Sequence, residues 1–400
     1  LAVERDTLRA SLQETFPPKR IEEVFIPRVN NRTRGYVKGQ PCIRVRYEEF
    51  NPNSRPMIAA RLMETCGWRP SEFTESGQPR VDENTLASLP FPACRQLTSY
   101  LELTKIIGML SEGNAGWLKL ADDSGRIHGR VVTNGAVTGR CTHNSPNLAQ
   151  IPARGTYGHA CRALFRAPQG WVMVGADASG LELRMLGHYM ARYDGGAYVT
   201  TLLEDDIHTV NQKAAGLETR DNAKTFIYAF MYGAGDAKLG SIVAPLASVA
   251  SQTRTGKVLR ARFLRSLPAL KHLIDDVRGV LSGPNKRSWL YGLDGRRLHV
   301  RSSHSALNTL LQSAGAVLVK TATVICHQEI ARRYPAWEAG RDYQQILHVH
   351  DEAQFLARPD LADALGRLFV ESIELAGRHY GLLCPTTGEY KVGESWAETH

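Results

Sequence analysis

"ILHVHDEAQF", residues 346–355, sets Asp351 and Glu352 inside a short apolar run with a histidine on either side of Val349. The longer stretch "QQILHVHDEAQFLA" reads as a pair of strands. A strand that carries carboxylates toward an interior needs something there to compensate them, because an unpaired buried charge is costly. The same demand arises at "VMVGADASGLELR", residues 172–184. There a β run delivers Asp177 at its C-terminal edge, and Glu182 follows on the next helical turn. Each site has a plain reading: Asp177 as the cap of a helix starting at Ser179, and Asp351 and Glu352 as a strand-edge ion pair with His348 or His350. The alternative is metal. Two Mg²⁺ ions held by Asp177 and Asp351 from separate strands would neutralise both, since Mg²⁺ prefers oxygen ligands and takes only one or two protein carboxylates.

A third constellation, "RDNAKTFIYAFMYGAGD" at 220–236, repeats Arg220, Lys224, Tyr228 and Tyr232 every four residues. Each step advances 400° around a helix, so the four line one broad face, with Gly233 as a stop. Two cations near a helix N-terminus suit a polyphosphate, and aromatic rings further on suit a base or sugar. His208, just upstream in "DDIHT", adds a possible donor. The bland alternative packs the tyrosines on a core and leaves Arg220 and Lys224 in solvent.

The chain has 400 residues, of which 43% are apolar, enough for a large core and two or three domains or subdomains. No apolar stretch is expected to span a bilayer, and the N-terminus lacks a secretion-signal layout, so no membrane partner is expected. Seven scattered cysteines, none spaced CxxC, indicate neither a disulfide framework nor a zinc finger and fit a reducing compartment. The net charge of +9 favours a polyanionic partner. It concentrates in one cluster from Lys19 to Arg46 and in another at Arg254, Lys257, Arg260, Arg262 and Arg265; each reads equally as phosphate contact or as solvated face. Proline and glycine break helical periodicity between 17 and 55, where loop or a short hairpin is expected; "HSALNTLLQSAGAVLVKTATVICHQEIARRY" reads as one long helix.

Taken together and in this order, "DASGLELR", "RDNAKTFIYAFMYGAG" and "HVHDE" resemble the three polymerase motifs of the family A DNA polymerases, the DNA polymerase I superfamily, most closely its T7-like phage branch. "NGAVTGRCTHNSPNLAQIP" and "GLDGRRLHVRSSHSALNTLLQSAGA" resemble the flanking motifs, and the similarity runs from about residue 50 to His400. The resemblance implies an α+β right-hand fold with an antiparallel palm sheet. It places a helical thumb at 1–120 with a short basic insertion at about 17–49, the palm at 121–195 and 302–400, and helical fingers at 196–301. It implies template-directed addition of deoxynucleotides to a primer 3′-hydroxyl with two Mg²⁺ ions, in phage DNA replication and in the cytoplasm of a host cell. By the same resemblance Asp177 and Asp351 would hold the metal, with Glu352 as a supporting carboxylate. Arg220, Lys224 and His208 would clamp the triphosphate. Tyr228 would stack near sugar and base, Tyr232 and Gly233 would sit near the template base, and Glu182 would exclude a 2′-hydroxyl. Arg140, Asn147, Gln150, Asn308, Gln312 and His350 match positions that touch the primer-template, whose minor-groove acceptors are nearly the same for every base pair.

Two departures qualify the resemblance. T7-like enzymes carry a long thumb insertion that binds thioredoxin, whereas only residues 17–49 stand there in this chain. Thioredoxin is therefore not expected as a partner, a monomer is expected, and the basic stripe would grip duplex DNA directly. No carboxylate set typical of a proofreading exonuclease is visible ahead of the thumb, so the chain is read as the polymerase part alone, by truncation or by a natural split. Rival readings are a single-subunit RNA polymerase, which Glu182 argues against; a metal-dependent hydrolase built on His348, His350 and Asp351; and an inactive DNA-binding relic.

Overall fold

Periodicity breaks at Pro17 and Pro18, and there helix α1 (Ala2–Thr15) gives way to an antiparallel two-stranded ribbon, β1 (Lys19–Phe25) and β2 (Cys42–Glu48). The expected hairpin is thus present, with Lys19 opposite Glu48 and Phe25 opposite Cys42. The computed structural model describes every residue of the chain apart from 75, 246, 284 and 285. By its internal contacts the chain divides into two units, Leu1–Ile127 and His128–His400.

In the first unit the ribbon leads to α2 (Arg55–Cys66), α3 (Glu83–Ser88), α4 (Pro92–Ile107) and the short α5 (Trp117–Leu120). Ser54 and Asp82 accept backbone N–H bonds at the starts of α2 and α3, and Gly67 ends α2 with φ 68°. Leu12, Phe16, Phe50, Ile58, Leu62 and Leu97 form the core between these helices, with the Phe16 and Phe50 rings 4.7 Å apart. Each such fully buried side chain contributes roughly 1.5–3 kcal/mol of transfer free energy.

The second unit begins with two short strands, β3 (Arg130–Val132) and β4 (Thr142–Asn144), and the helix α6 (Gly158–Ala163). The apolar run before Asp177 then forms β5 (Val172–Ala178), followed at once by α7 (Leu181–Asp194). A helical section comprises α8 (Ala197–Glu204), α9 (Ile207–Ala215), α10 (Arg220–Met231), α11 (Asp236–Ser241), α12 (Val249–Ser266) and α13 (Pro268–Ser282). Its aromatic centre is Phe263, whose ring meets those of Phe226 and Phe230 edge-on, each at 5.3 Å. Helices α11 and α12 touch through bare backbone: a Cβ at Gly256 would stand 1.8 Å from the Asp236 carbonyl oxygen, so only glycine fits.

The hairpin β6 (Trp289–Tyr291) and β7 (Arg297–His299) precedes the long helix α14 (Ala306–Arg333). The chain closes with β8 (Tyr343–Val349), β9 (Glu352–Ala357), α15 (Ala362–His379) and β10 (Gly388–Gly393). Strands β10, β5, β9 and β8 make one antiparallel sheet in that order. Helix α15 covers it, with the Phe369 ring 5.4 Å from Phe355 on β9.

The sequence expectation about apolar length is corrected at α14. Residues 303–333 are long and apolar enough, by composition, to cross a bilayer, yet 67% of their most apolar window is buried inside the protein. Leu307, Leu310, Leu311, Ala314 and Leu318 lie in the main core, as the helical spacing requires, so its apolar character is that of a core helix.

Candidate active site

Register, not sequence proximity, assembles the site. Antiparallel pairing of β5 with β9 sets Asp177 opposite Glu352, and the backbone N–H of Ala178 donates to the Asp351 carbonyl at 3.1 Å. Asp351 does not lie within a strand, as the opening stretch implied. It occupies the two-residue turn between Val349 and Glu352, where His350 takes φ 57°, a left-handed conformation that tight hairpin turns require.

The question of what compensates each carboxylate has different answers. Glu352 is buried (4% exposed), and burial alone would raise its carboxyl. Hydrogen bonds from His400, Gln354 and Trp396 instead hold it below the ordinary range. Gln354 Nε2 lies at 2.6 Å and His400 Nδ1 at 2.9 Å, the Trp396 indole N–H also donates, and the Arg162 guanidinium stands 3.9 Å away. His348 and His350 are not its partners; the histidine that meets Glu352 is His400, at 2.9 Å. His348 is turned to other use: its carbonyl bonds the His143 ring at 3.0 Å, and burial, with Lys320 nearby, drops its imidazole to about 4.

Asp177 and Asp351 have no such partners. Among the described residues neither forms an ion pair, and Asp177 caps nothing: α7 is entered through Gly180, φ 59°, without a side-chain cap. Burial, then Asp351, Glu352 and Glu389, pushes the Asp177 carboxyl up to about 8, with Lys391 opposing. Burial likewise raises Asp351. Two half-enclosed oxygen donors that repel each other are a fit for a hard divalent cation. Among the described residues no group of three or more His, Cys, Asp or Glu is placed to hold a metal ion.

A consequence for stability follows from the sign of the shift. An acid held above its unfolded value of 3.8 stabilises the fold while protonated, fully so below that pH, and the contribution is lost as pH rises through about 8. Metal-free protein is therefore expected to melt at progressively lower temperature from mildly acidic to mildly alkaline pH. Asp177→Asn, always neutral, should flatten that decline, and Mg²⁺ should raise the alkaline melting temperature of the wild type alone. Superimposable pH profiles for wild type and variant would refute the assignment.

Helix α10 begins at Thr219, whose hydroxyl accepts the Asn222 N–H. It buries Ala223, Phe226, Ile227, Phe230 and Met231 and leaves the Arg220–Lys224–Tyr228–Tyr232 face outward. Tyr228 is partly buried, and burial raises its phenol, with Glu182 and Asp351 adding to the effect, so this face stands beside the carboxylates. The Tyr228 ring lies 6.4 Å from Tyr232 and 6.4 Å from His208. Tyr232, 48% exposed, donates its hydroxyl to Glu182 at 2.6 Å, and Arg140 reaches the other oxygen of Glu182 at 3.3 Å. Gly233 follows at φ 78°, where a Cβ would meet the His304 carbonyl oxygen at 2.4 Å.

Lys224 is exposed and makes no ion pair among the described residues, whereas Arg220 is held in a forked pair by Asp206 at 2.6 and 3.1 Å. Asp206, which the sequence reading did not single out, also accepts from Thr209 and the His208 backbone and starts α9. Burial lowers the His208 imidazole, with Arg220 and Lys224 adding to the effect, and its Nδ1 has no partner. Asn147 and Gln150 sit exposed beside a short 3₁₀ turn; Asn308 and Gln312 lie one turn apart on α14. In the second basic cluster, Arg260 is a structural residue, bound to Asp236 at 2.7 Å and to the Ala234 carbonyl at 2.6 Å.

Trp396, His400, Gln354, Arg162, His143 and Asp206 were missed from sequence. "HDEAQF" with Gln354 two residues past Glu352, on the same strand face, was the one local signal; the rest are distant in the chain.

An antiparallel sheet thus presents a pair of carboxylates beside a cation-and-tyrosine helix, an arrangement suited to a metal-bound polyphosphate. Residues 37–398 match the family model for DNA polymerase family A, and the chain belongs to that family. It is 42% identical over 397 residues to the DNA-directed DNA polymerase of Enterobacteria phage T3, covering 92% of this chain and 55% of the relative. The DNA-directed DNA polymerase of Escherichia phage T7 is equally similar, 42% identical with the same coverage. The chain thus spans about half the length of the curated phage relatives it matches. Among solved structures, the polymerase domain of Pol1 from M. smegmatis, in complex with DNA primer-template and dNTP, superposes with a TM-score of 0.75 at 22% identity, over 88% of this chain and 62% of that one. The expected α+β right-hand polymerase fold is therefore the observed one.

Proposed function

We propose that this chain is the polymerase part of a template-directed DNA polymerase, extending a primer 3′-hydroxyl with deoxynucleotides. The observation that carries the reading is the pairing of β5 with β9, which leaves Asp177 and Asp351 adjacent and uncompensated while Glu352 is satisfied by its own hydrogen bonds. On this reading residues 1–120 are the thumb, 121–195 and 302–400 the palm, and 196–301 the fingers.

Asp177 and Asp351 would hold two Mg²⁺ ions, which when bound would activate the primer hydroxyl and neutralise charge developing on the α-phosphate. Glu352 serves as a structural support, not a ligand, since both its oxygens are already engaged. Lys224 and Arg220, near the N-terminal end of α10, neutralise the triphosphate, and His208 donates to it. Tyr228 supplies the platform for sugar and base. Glu182, fixed by Tyr232 and Arg140, fills the space a ribose 2′-hydroxyl would need. Arg140, Asn147, Gln150, Asn308, Gln312 and His350 contact the primer-template without reading its sequence, so affinity falls with salt. Asp206 keeps Arg220 in place until a phosphate competes for it. The short basic ribbon at 19–48 favours direct DNA contact over a thioredoxin partner; the chain acts as a monomer in a reducing cytoplasm, a setting its seven free cysteines suit.

Extension of a labelled primer on a defined template tests the reading: product is expected with Mg²⁺ and deoxynucleotides, and none in EDTA. Mg²⁺-dependent loss of template without extension would sink it. Tyr228 also bears on terminators, since its hydroxyl offers a polar group where a 3′-hydroxyl is missing. Tyr228→Phe is therefore expected to reduce dideoxynucleotide use by about 10-fold or more relative to deoxynucleotides; equal termination ladders from both proteins would discount it.

A further inference from the structure

The hairpin of β6 and β7 is two-faced in a way its packing does not explain. Leu290 and Leu298, paired across it, are 6% and 0% exposed and join the main core. The opposite face carries Trp289 opposite His299 and Tyr291 opposite Arg297. Tyr291 is 57% exposed, and its ring meets the Trp289 indole edge-on at 4.7 Å. Two guanidiniums rest on the same indole, Arg297 at 4.7 Å and Arg287 at 5.1 Å from its centroid. Neither pairs with a carboxylate among the described residues, unlike Arg296, which Asp294 engages at 2.7 Å.

Solvent contact alone would leave such arginines mobile. Here the indole orients both cations and leaves their hydrogen-bonding edges free, while the neighbouring phenol presents an open ring. The hairpin also touches the loop that carries Arg140: Arg296 Nη1 donates to Asn134 Oδ1 at 3.2 Å, and Lys320 on α14 donates to the carbonyls of Thr133 and Gly139. The turn of the hairpin therefore adjoins a loop that leads to Glu182.

We propose that the outward face of this hairpin, Arg287, Trp289, Tyr291 and Arg297, binds single-stranded DNA. The arginines take backbone phosphates and Tyr291 stacks a base, a combination that tolerates any sequence because every base has a π-face. An apolar or helical protein partner fits less well, since the face offers charge and rings without an aliphatic groove. The inference deepens the polymerase reading by giving the unpaired template strand a surface of its own, and it rests on that reading for which strand is held.

The test uses the whole chain without nucleotide or metal, so that a failure of catalysis does not enter. Fluorescence anisotropy would compare labelled primer-templates with a long single-stranded 5′ template overhang against blunt duplexes of the same base-paired length. Tyr291→Ala is expected to weaken binding to the overhang substrate by about 10-fold, and Arg287→Ala with Arg297→Ala to lower its salt dependence by roughly two ions. Tyr291→Phe should restore stacking and affinity. Blunt-duplex affinity should stay unchanged for all of them. Circular dichroism checks that the exposed substitutions leave the fold intact. Equal loss on both substrates, no loss on either, or a polyglutamate peptide that binds through these arginines while single strands bind without them would each overturn the proposal.

Discussion

Replacing Asp351 or Asp177 by alanine is expected to reduce primer extension by about 10³-fold or more, while affinity for primer-template stays within about twofold. One carboxylate comes from a strand and the other from a turn, yet removing either leaves the other alone where, among the described residues, neither forms an ion pair. The fold should tolerate the loss. Asp351 sits in a turn and holds Ala178 through its backbone carbonyl, which alanine retains. Since burial raises both acids, and Asp351 raises Asp177 further, deleting one should even relieve strain in the metal-free protein. Glu352→Ala provides the contrast, because it strips the acceptor from the buried Trp396 and Gln354 donors and from the more exposed His400. Such orphaned groups cost about 1–3 kcal/mol each, so that variant should lose stability along with activity. A single-turnover extension assay beside a thermal melt separates the cases. Extension by Asp351→Ala within about tenfold of wild type would remove Asp351 from the metal assignment.

Lys224→Ala should lower kcat/KM for the deoxynucleotide by about 10²-fold with template affinity unchanged. Lys224 is exposed on the outward face of α10 and forms no ion pair among the described residues. Its neighbour Arg220 is already partnered by Asp206, and Arg220→Ala should therefore cost less, since part of its charge is offset before nucleotide arrives. Single-nucleotide incorporation across a concentration series reads both effects. If Lys224→Ala leaves the nucleotide requirement unchanged, α10 is not a phosphate-binding helix.

Much of this was legible from the residues. The four-residue repeat of Arg220, Lys224, Tyr228 and Tyr232 fixed one helix face, because 400° of rotation returns nearly to the start and the intervening Phe226, Ile227 and Phe230 had to be buried. The apolar run before Asp177 and the strand pair around Asp351 followed from β propensity and alternation. Motif order added the family.

Other features depended on chain segments meeting in space. The role of Glu352 looked the same as that of Asp351 in sequence, one residue apart, yet a single step from turn to strand puts one toward an uncompensated cleft and the other among Trp396, His400 and Gln354. Only Gln354 is a local partner; Trp396 and His400 arrive from more than 40 residues away. Arg260 looked like part of a phosphate stripe until Asp236 and the Ala234 carbonyl claimed it. The sequence alone determined which side chains share a helix face or strand, because those periodicities are properties of the backbone. Tertiary structure decided which charges remain free, because a charge is free or satisfied only relative to donors and acceptors that the fold brings from elsewhere.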